Sequence, residues 1–223
     1  MSELFNIEKI MVGAEKLTAR IAVNDGLPTM TSEDIEATAR VYYLAPEIAH
    51  HLCLGDAGRE FQDCMHETEV AHLLEHLSVE IMRETGLAGD ISCGRTRRVS
   101  GEDRTFEVEL SCPDDTLTIG ALSSATFMMD WAFLHGNAPA PDFPGTVAAL
   151  RNLVLTVRGE KPDAPEAEEE DAAPVVIDTE GIAPDTSSAH ASAVFGGAAA
   201  EGSRAAHEGG GFGAPRLGVA DSR

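Results

Sequence analysis

The sequence predicts an α+β fold, a two-layer sandwich in which helices cover an at least partly antiparallel sheet. Hydrophobic residues make up 43% of the 223 residues, which is enough for one domain with a core of its own. Two strand-like segments open the chain, helical repeats follow, and two more strand-like segments precede a final helical region. Strands grouped apart from helices, rather than alternating with them, predict this class.

The first 45 residues predict two strands and a helix. The segments LFNIEKIMVG and LTARIAV are typical of strands, and the turn-forming NDG ends the second. Thr31 or Ser32 is in a position to cap the following helix, whose apolar repeat continues to Leu44. Pro46 then interrupts the repeat, so we expect the helix to end just before it.

The next hundred residues predict further helices and a strand pair. A short helical piece is expected at PEIAHHLCLG, and residues 68–85 form the clearest helix, which Gly86 closes. The segments GDISCGRTRRVS and RTFEVELSC predict two paired strands. Residues 117–134 predict a closing helix, and TVAALRNLVLTVRG predicts a last one after a proline-rich loop.

The composition changes near residue 159. Residues 160–223 contain thirteen acids and four bases, so they carry −9 of the formal net charge of −22. Alanine, glycine and serine dominate this stretch, and neither helical nor strand periodicity is sustained in it. Such a segment buries too little apolar surface to offset the entropy of ordering. We therefore predict one folded domain at residues 1–158 and a disordered acidic tail at 159–223.

The charge and composition exclude several classes of function. A net charge of −22 disfavours nucleic acids and anionic membranes, and it favours cationic partners. The chain has no apolar run of membrane-spanning length, and acidic residues stand where a signal peptide needs bases, so we expect a cytoplasmic protein. The four cysteines form no CxxC pair and are expected to be buried thiols; they are Cys53, Cys64, Cys93 and Cys112.

The helix at residues 68–85 carries the candidate chemistry. His72, Glu75 and His76 lie at spacings i, i+3 and i+4, which stack on one helix face. In this HxxEH order two imidazoles can share a metal ion and the carboxylate can activate water beside it. Glu80 lies on the same face, roughly 12 Å along the axis from His72, and is expected to support His76 rather than to bind the ion. The alternative interpretation is an amphipathic helix with a solvated polar face.

The motif stands within a longer pattern. The stretch from His51 to Arg97, which includes CLGDAGREFQDCMHETEVAHLLEHLSVEIMRETGLAGDISCGRTR, is followed by FEVEL and an alanine-rich helix. It resembles the N-terminal domain of cyanophycin synthetase, and the resemblance covers about residues 5–155. The matching residues are His51 and Cys53, Gly58 with Phe61, Glu67 with Thr68, His72, Glu75, His76, Glu80, Gly86, and Gly94 through Arg97.

The resemblance implies a metallopeptidase-like site that trims a polymer of aspartate with arginine side groups. It implies Zn²⁺ on His72 and His76, with Glu75 as the general base. It also implies a third ligand, a glutamate, after the closing helix; the only acid in the corresponding stretch here is Asp142, and Asp130 is the alternative. The chain lacks a nucleotide-binding segment and room for the ligase domains, so we do not expect it to synthesise polymer by itself.

Two arginines of the GRTR motif are candidate substrate ligands. Arg95 or Arg97 could bind a substrate carboxylate through two hydrogen bonds, or both could pair with the many acids nearby. We expect one side chain to face each way, so at most one serves the substrate.

Two functions from different classes remain open. One is a zinc-dependent hydrolase for cyanophycin-like peptides that contain aspartate and arginine. The other is a non-catalytic binding or scaffold module. Either could work as a homodimer or with a separate synthetase.

Overall fold

A computed structural model describes residues 3–53, 59–91 and 94–162. Gly58, Cys93 and nearly all of the predicted tail lie outside the described residues. The strands are β1 Phe5–Val12, β2 Lys16–Val23, β3 Leu52–Cys53, β4 Arg59–Glu60, β5 Arg95–Arg98 and β6 Thr105–Ser111. The α-helices are α1 Ile35–Leu44, α2 Val70–Glu84, α3 Asp115–Leu134 and α4 Phe143–Val157. The α+β class is confirmed, and the sheet is antiparallel throughout its described strands.

The main sheet has the strand order β1-β2-β6-β5, and each neighbouring pair is antiparallel. Alternate residues of its two central strands are buried, because successive side chains of a strand point to opposite faces. The inner face presents Leu17, Ala19, Ile21 and Val23 of β2 together with Phe106, Val108 and Leu110 of β6. The outer face carries charged side chains that are half-buried or exposed, among them Arg20, Glu107 and Glu109, and the described helices form one layer on the inner face.

The helix boundaries follow the capping residues. Asp34, rather than Thr31 or Ser32, caps α1, because its carboxylate accepts a hydrogen bond from the Ala37 N–H at 2.9 Å. Thr31 instead begins a short 3₁₀ turn ahead of the helix. At the other end of the predicted 68–85 helix, Gly86 has a φ of +66°, a left-handed conformation that glycine adopts without steric cost.

The helical layer is built around α2 and α3. α3 is long and apolar enough to cross a membrane by length and composition alone. Its residues Ala121, Leu122, Ala125, Met128 and Met129 are fully buried in the core, which accounts for that composition within this fold. α2 lies against α3, and it also contacts β5 and β6 of the sheet. It is therefore the central helix of the described residues.

A small two-stranded element lies beside the start of α2. Leu52 and Cys53 of β3 pair with Glu60 and Arg59 of β4. The Phe61 N–H donates to the His51 carbonyl at 2.8 Å and continues this pairing into a 3₁₀ turn. The sequence did not predict this element, because two-residue strands leave no periodicity to detect.

Candidate functional site

The polar face of α2 is buried. Glu75, His76 and Glu80 are only 2%, 1% and 3% exposed. The opposite, apolar face is buried as well, with Leu73 and Ile81 fully enclosed. The alternative of a solvated amphipathic helix is therefore wrong. Ionisable groups removed from water in this way need partners, so their contacts define the site.

The two histidines of α2 meet through their outer nitrogens. His72 Nε2 and His76 Nε2 are 3.2 Å apart. The other nitrogen of each ring is held by a neighbour: His72 Nδ1 lies 2.8 Å from Thr68 Oγ1, and His76 Nδ1 lies 3.2 Å from His51 Nδ1. The contacts at Nδ1 thus fix the orientation of both rings, and the two Nε2 atoms face each other.

Glu80 supports His76 through a third histidine. The Glu80 Oε2 atom lies 2.6 Å from His51 Nε2, so the predicted support of His76 by Glu80 passes through His51. An imidazole N–H is the donor that a carboxylate oxygen accepts from, so His51 Nε2 is assigned as the donor to Glu80 and His51 Nδ1 accepts from His76 Nδ1. This assignment, which follows from the hydrogen-bond partners, leaves the lone pair of His76 on Nε2, toward His72.

Phe61 covers the histidine pair. Its ring stacks on His76 with centroids 3.8 Å apart and meets His72 edge-on at 5.2 Å. Phe61 is fully buried, so it excludes water from this side of both imidazoles. The sequence identified it only as one residue of the longer pattern, because nothing in its spacing from α2 predicts ring contact.

Glu75 is held by the GRTR segment. The Thr96 hydroxyl donates to Glu75 Oε2 at 2.6 Å. A side chain on Gly94 would place its Cβ 2.7 Å from Glu75 Cγ and 2.5 Å from the Glu109 carbonyl oxygen, so only glycine fits there. Burial raises the pKa of Glu75 to about 7, and the Thr96 hydrogen bond acts in the opposite direction.

Burial also keeps both histidines of α2 neutral. It lowers the pKa of His76 to about 2, with the neighbouring His72 and His51 acting in the same direction. Burial lowers the pKa of His72 as well, against the charge of Glu69. Neutral imidazole is the form that binds metals, so both side chains are in the binding form at neutral pH.

Arg95 and Arg97 lie away from this site. In the β5–β6 register they stand opposite Glu109 and Glu107, on the outer face of the sheet. The expectation that one arginine faces each way is wrong, because residues two apart on a strand share a face. Thr96, between them, is the residue that faces Glu75. The strand alternation was the signal that could have identified it.

Asp142 and Asp130, the proposed third ligands, have other partners. The Asp142 carboxylate accepts from the Gly145 N–H at 3.0 Å and caps α4. Asp130 accepts from the Leu4 N–H at 2.7 Å, and burial raises its pKa. Among the described residues, neither belongs to a group with ligand atoms close enough to share an ion.

In the part of the chain that the structure describes, two groups of side chains have all their ligand atoms within 4.8 Å of one another, close enough to share an ion. One consists of His72, Glu75 and His76, as the HxxEH spacing predicted. The other consists of Cys53, Cys64 and His72. Burial of Cys53 and Cys112 agrees with the prediction of buried thiols, whereas Cys64 is half-buried. The sequence did not indicate that two thiols would lie beside the histidine.

A two-layer sandwich with an antiparallel sheet and a buried histidine–glutamate face on its central helix defines a domain with a candidate metal site. A family model for the cyanophycin synthase-like N-terminal domain matches residues 20–131, about half of the chain, and the chain belongs to this family. The match contains every residue of the site and leaves β1 and α4 outside. No curated protein matches the chain.

Proposed function

We propose that the protein is a metal-dependent hydrolase that binds one divalent ion between His72 and His76. The observation that carries this proposal is the 3.2 Å separation of the two Nε2 atoms. Two nitrogens bound to one tetrahedral zinc ion, at 2.0–2.1 Å each, lie about 3.3 Å apart. The pair therefore already has the spacing that a shared ion requires, and the outer hydrogen bonds hold both rings in it.

The buried carboxylate beside the pair supports hydrolysis rather than binding alone. When bound, the ion would supply Lewis acidity at a carbonyl oxygen of the substrate. Glu75 would serve as the general base, and its pKa of about 7 suits proton transfer near neutral pH. Thr96 and Gly94 would keep this carboxylate in one orientation against the histidines.

The substrate would approach from the side of His72. His76 and Glu75 are almost fully enclosed, whereas His72 is half-buried and is the most exposed of the three. An acidic protein attracts cationic groups, which supports a peptide or polymer that carries arginine side chains together with aspartate. This substrate class also agrees with the family to which the chain belongs.

A non-catalytic binding module is the second candidate. The observation in its favour is that Asp142 and Asp130, the acids expected to complete the ion's coordination, hold backbone N–H groups elsewhere. Such a module would keep the buried polar network for its structure and would bind a peptide or a synthetase without cleaving it.

Elemental analysis and peptide hydrolysis test the proposal on the full chain. We expect stoichiometric metal in the purified protein and its loss in His72→Ala. Glu75→Gln should retain the metal and lower cleavage of a β-aspartyl-arginine peptide by about 10²–10⁴-fold. Glu84→Gln, at an exposed position of the same helix, is the matched control and should change neither. Absence of metal, or unchanged turnover in Glu75→Gln, would overturn the hydrolase; metal without any hydrolysis would favour the binding module.

A further inference from the structure

Two thiols lie on the more exposed side of the histidine pair. The Cys53 Sγ atom is 3.7 Å from His72 Nε2, and Cys64 Sγ is 3.9 Å from Cys53 Sγ. The three residues come from separate elements: β3, the end of the 3₁₀ turn at Phe61–Asp63, and α2. The fold thus brings together three donors that the sequence places up to 19 positions apart.

Two of the three separations match a tetrahedral thiolate site, and the third, between Cys64 Sγ and the His72 ring nitrogen, is within 4.8 Å. With zinc–sulfur bonds of about 2.3 Å and zinc–nitrogen bonds of 2.0–2.1 Å, two sulfurs lie about 3.8 Å apart, and sulfur and nitrogen about 3.6 Å. The observed separations of 3.9 Å and 3.7 Å differ from these values by about 0.1 Å. Movement of the Cys64 thiol toward His72, by at most about 1.2 Å, would therefore complete the geometry that one ion requires.

We infer that Cys53, Cys64 and His72 form a second metal site, selective for a thiolate-preferring ion of the Zn²⁺ class. Sulfur ligands favour such ions over the harder divalent metals, which prefer carboxylate, carbonyl and water oxygens. Three protein ligands leave one position of a tetrahedral ion open, as in zinc sites of the two-cysteine, one-histidine type. The inference does not depend on the proposed hydrolysis.

The two sites compete for one residue. His72 Nδ1 is engaged with Thr68 Oγ1 at 2.8 Å, so only Nε2 is available to a metal. That atom has one lone pair, and it faces both His76 Nε2 at 3.2 Å and Cys53 Sγ at 3.7 Å. An ion held by the thiols therefore removes His72 from the HxxEH site, and the chain should hold one ion at a time.

Cobalt titration of the full chain, under reducing conditions, tests the second site directly. Cobalt(II) bound to thiolate gives a charge-transfer absorption in the near ultraviolet, which nitrogen and oxygen ligands do not give. We expect this absorption to saturate at one ion per chain. Cys64→Ser should weaken its binding by more than the roughly 10–100-fold that loss of a ligand's hydrogen-bond partner costs. Cys112→Ser, at a buried thiol that belongs to neither group of ligands, is the matched control and should leave the titration unchanged.

His76→Ala separates this inference from the proposed function. It should abolish hydrolysis while the thiolate absorption persists, because His76 is absent from the thiol group. Absence of the absorption in the unmodified chain, or its persistence in Cys53→Ser and Cys64→Ser, would overturn the second site whatever the hydrolytic activity. Should Cys53→Ser fail to fold, alkylation of Cys64 in the unmodified chain replaces it: Zn²⁺ should slow the reaction about tenfold or more if the thiol is a ligand, and unchanged rates would overturn the site.

Discussion

The two faces of the sheet carry the same kinds of residues in opposite environments. On the inner side, Glu75 and His76 of α2 are enclosed, and Thr96 of β5 donates to the carboxylate. On the outer side, Arg95 and Arg97 of the same strand stand in water opposite two glutamates. Residue type alone does not distinguish a site from a solvated surface; burial and hydrogen-bond partners do.

The energetic consequences differ accordingly. The outer pair between Lys16 and Glu109 is close, at 2.6 Å, but the lysine side chain is 61% exposed. Ion pairs of this kind contribute about 0–1 kcal/mol. On the inner side, a buried polar group that loses its partner costs about 1–3 kcal/mol.

The pH dependence of stability should have opposite signs on the two faces. Because the folded state raises the pKa of Glu75 from 4.5 to about 7, its contribution is fully present below pH 4.5 and is lost as the pH rises through 7. At 1.36 kcal/mol per unit, the change amounts to about 3 kcal/mol. The free energy of unfolding of Glu75→Gln, measured in urea with a chelator present, should therefore increase by about 3 kcal/mol relative to that of the unmodified chain between pH 4 and pH 8.

Glu109→Gln is the contrasting variant for the pH experiment. The hydrogen bond from Lys16 lowers the pKa of Glu109, so its contribution is present at neutral pH and is lost as the pH falls. The difference between this variant and the unmodified chain should therefore shrink toward acid pH, and by less than for Glu75. The lowered pKa values of His72 and His76 destabilise the fold in acid in all three chains. Their contribution therefore cancels in the stability difference between each variant and the unmodified chain. A stability difference for Glu75→Gln that does not vary with pH would contradict the buried state of its carboxylate.

Gly94→Ala should destabilise the inner face of the sheet through a steric clash. Its Cβ would collide with the Glu109 backbone and with Glu75, so we expect a loss of about 1–3 kcal/mol in the free energy of unfolding. Gly136→Ala is the control, since its Cβ would meet only the flexible end of the Arg40 side chain. We expect it to cost less than about 1 kcal/mol. Equal losses in denaturant titrations would show that Glu75 can move aside freely.

Thr96→Val removes one hydrogen bond while it preserves the shape of the side chain. We expect a loss of about 1 kcal/mol in the free energy of unfolding. The pKa of Glu75, followed by NMR, should rise further, because the lost hydrogen bond lowers it. Thr18→Val, opposite Glu109 on the outer face, should change stability by less than about 0.5 kcal/mol. A larger loss of stability in Thr18→Val than in Thr96→Val would contradict the difference proposed between the inner and outer faces of the sheet.

Arg97→Ala should have the smallest effect. Its side chain is exposed and lies on the face of the sheet opposite Glu75, so the free energy of unfolding should change by less than about 0.5 kcal/mol. Peptide hydrolysis should be unchanged. A clear fall in turnover would show that substrate reaches the outer face, and it would restore the role that the sequence first indicated for this arginine.

Much of the fold could be predicted because it depends on local pattern. Hydrophobic periodicity identified the strands of the main sheet and all four α-helices. The predicted ends of the helices differ from the observed ends by a few residues. The helix cap was predicted less accurately. The sequence indicated Thr31 or Ser32, whereas Asp34 caps α1, because the backbone geometry decides which side-chain oxygen reaches the helix N–H groups. The short β3–β4 pair depends on contacts with the turn after it and left no signal.

The site could be predicted only in part. His72, Glu75 and His76 lie within one helical turn, so their spacing alone brings them together. His51, Cys53 and Cys64 reach them from another part of the chain, and no local rule measures such distances. The sequence indicated Asp142 or Asp130 as the third ligand, because it shows which carboxylates are present. It does not show that these two carboxylates accept hydrogen bonds from the Gly145 and Leu4 N–H groups.

The class of fold and the HxxEH motif could be predicted from the sequence alone, since they depend on the order of the elements and on spacing within one helix. The sequence also predicts a boundary near residue 158, from the change in composition. The tertiary structure decided which groups are removed from water, and that decision determines their chemistry. It enclosed Glu75 and His76, left Arg95 and Arg97 in solvent, and brought two thiols to His72. The physical reason is that pKa values and ligand geometry depend on neighbours within a few ångströms, which only the packing of distant segments supplies.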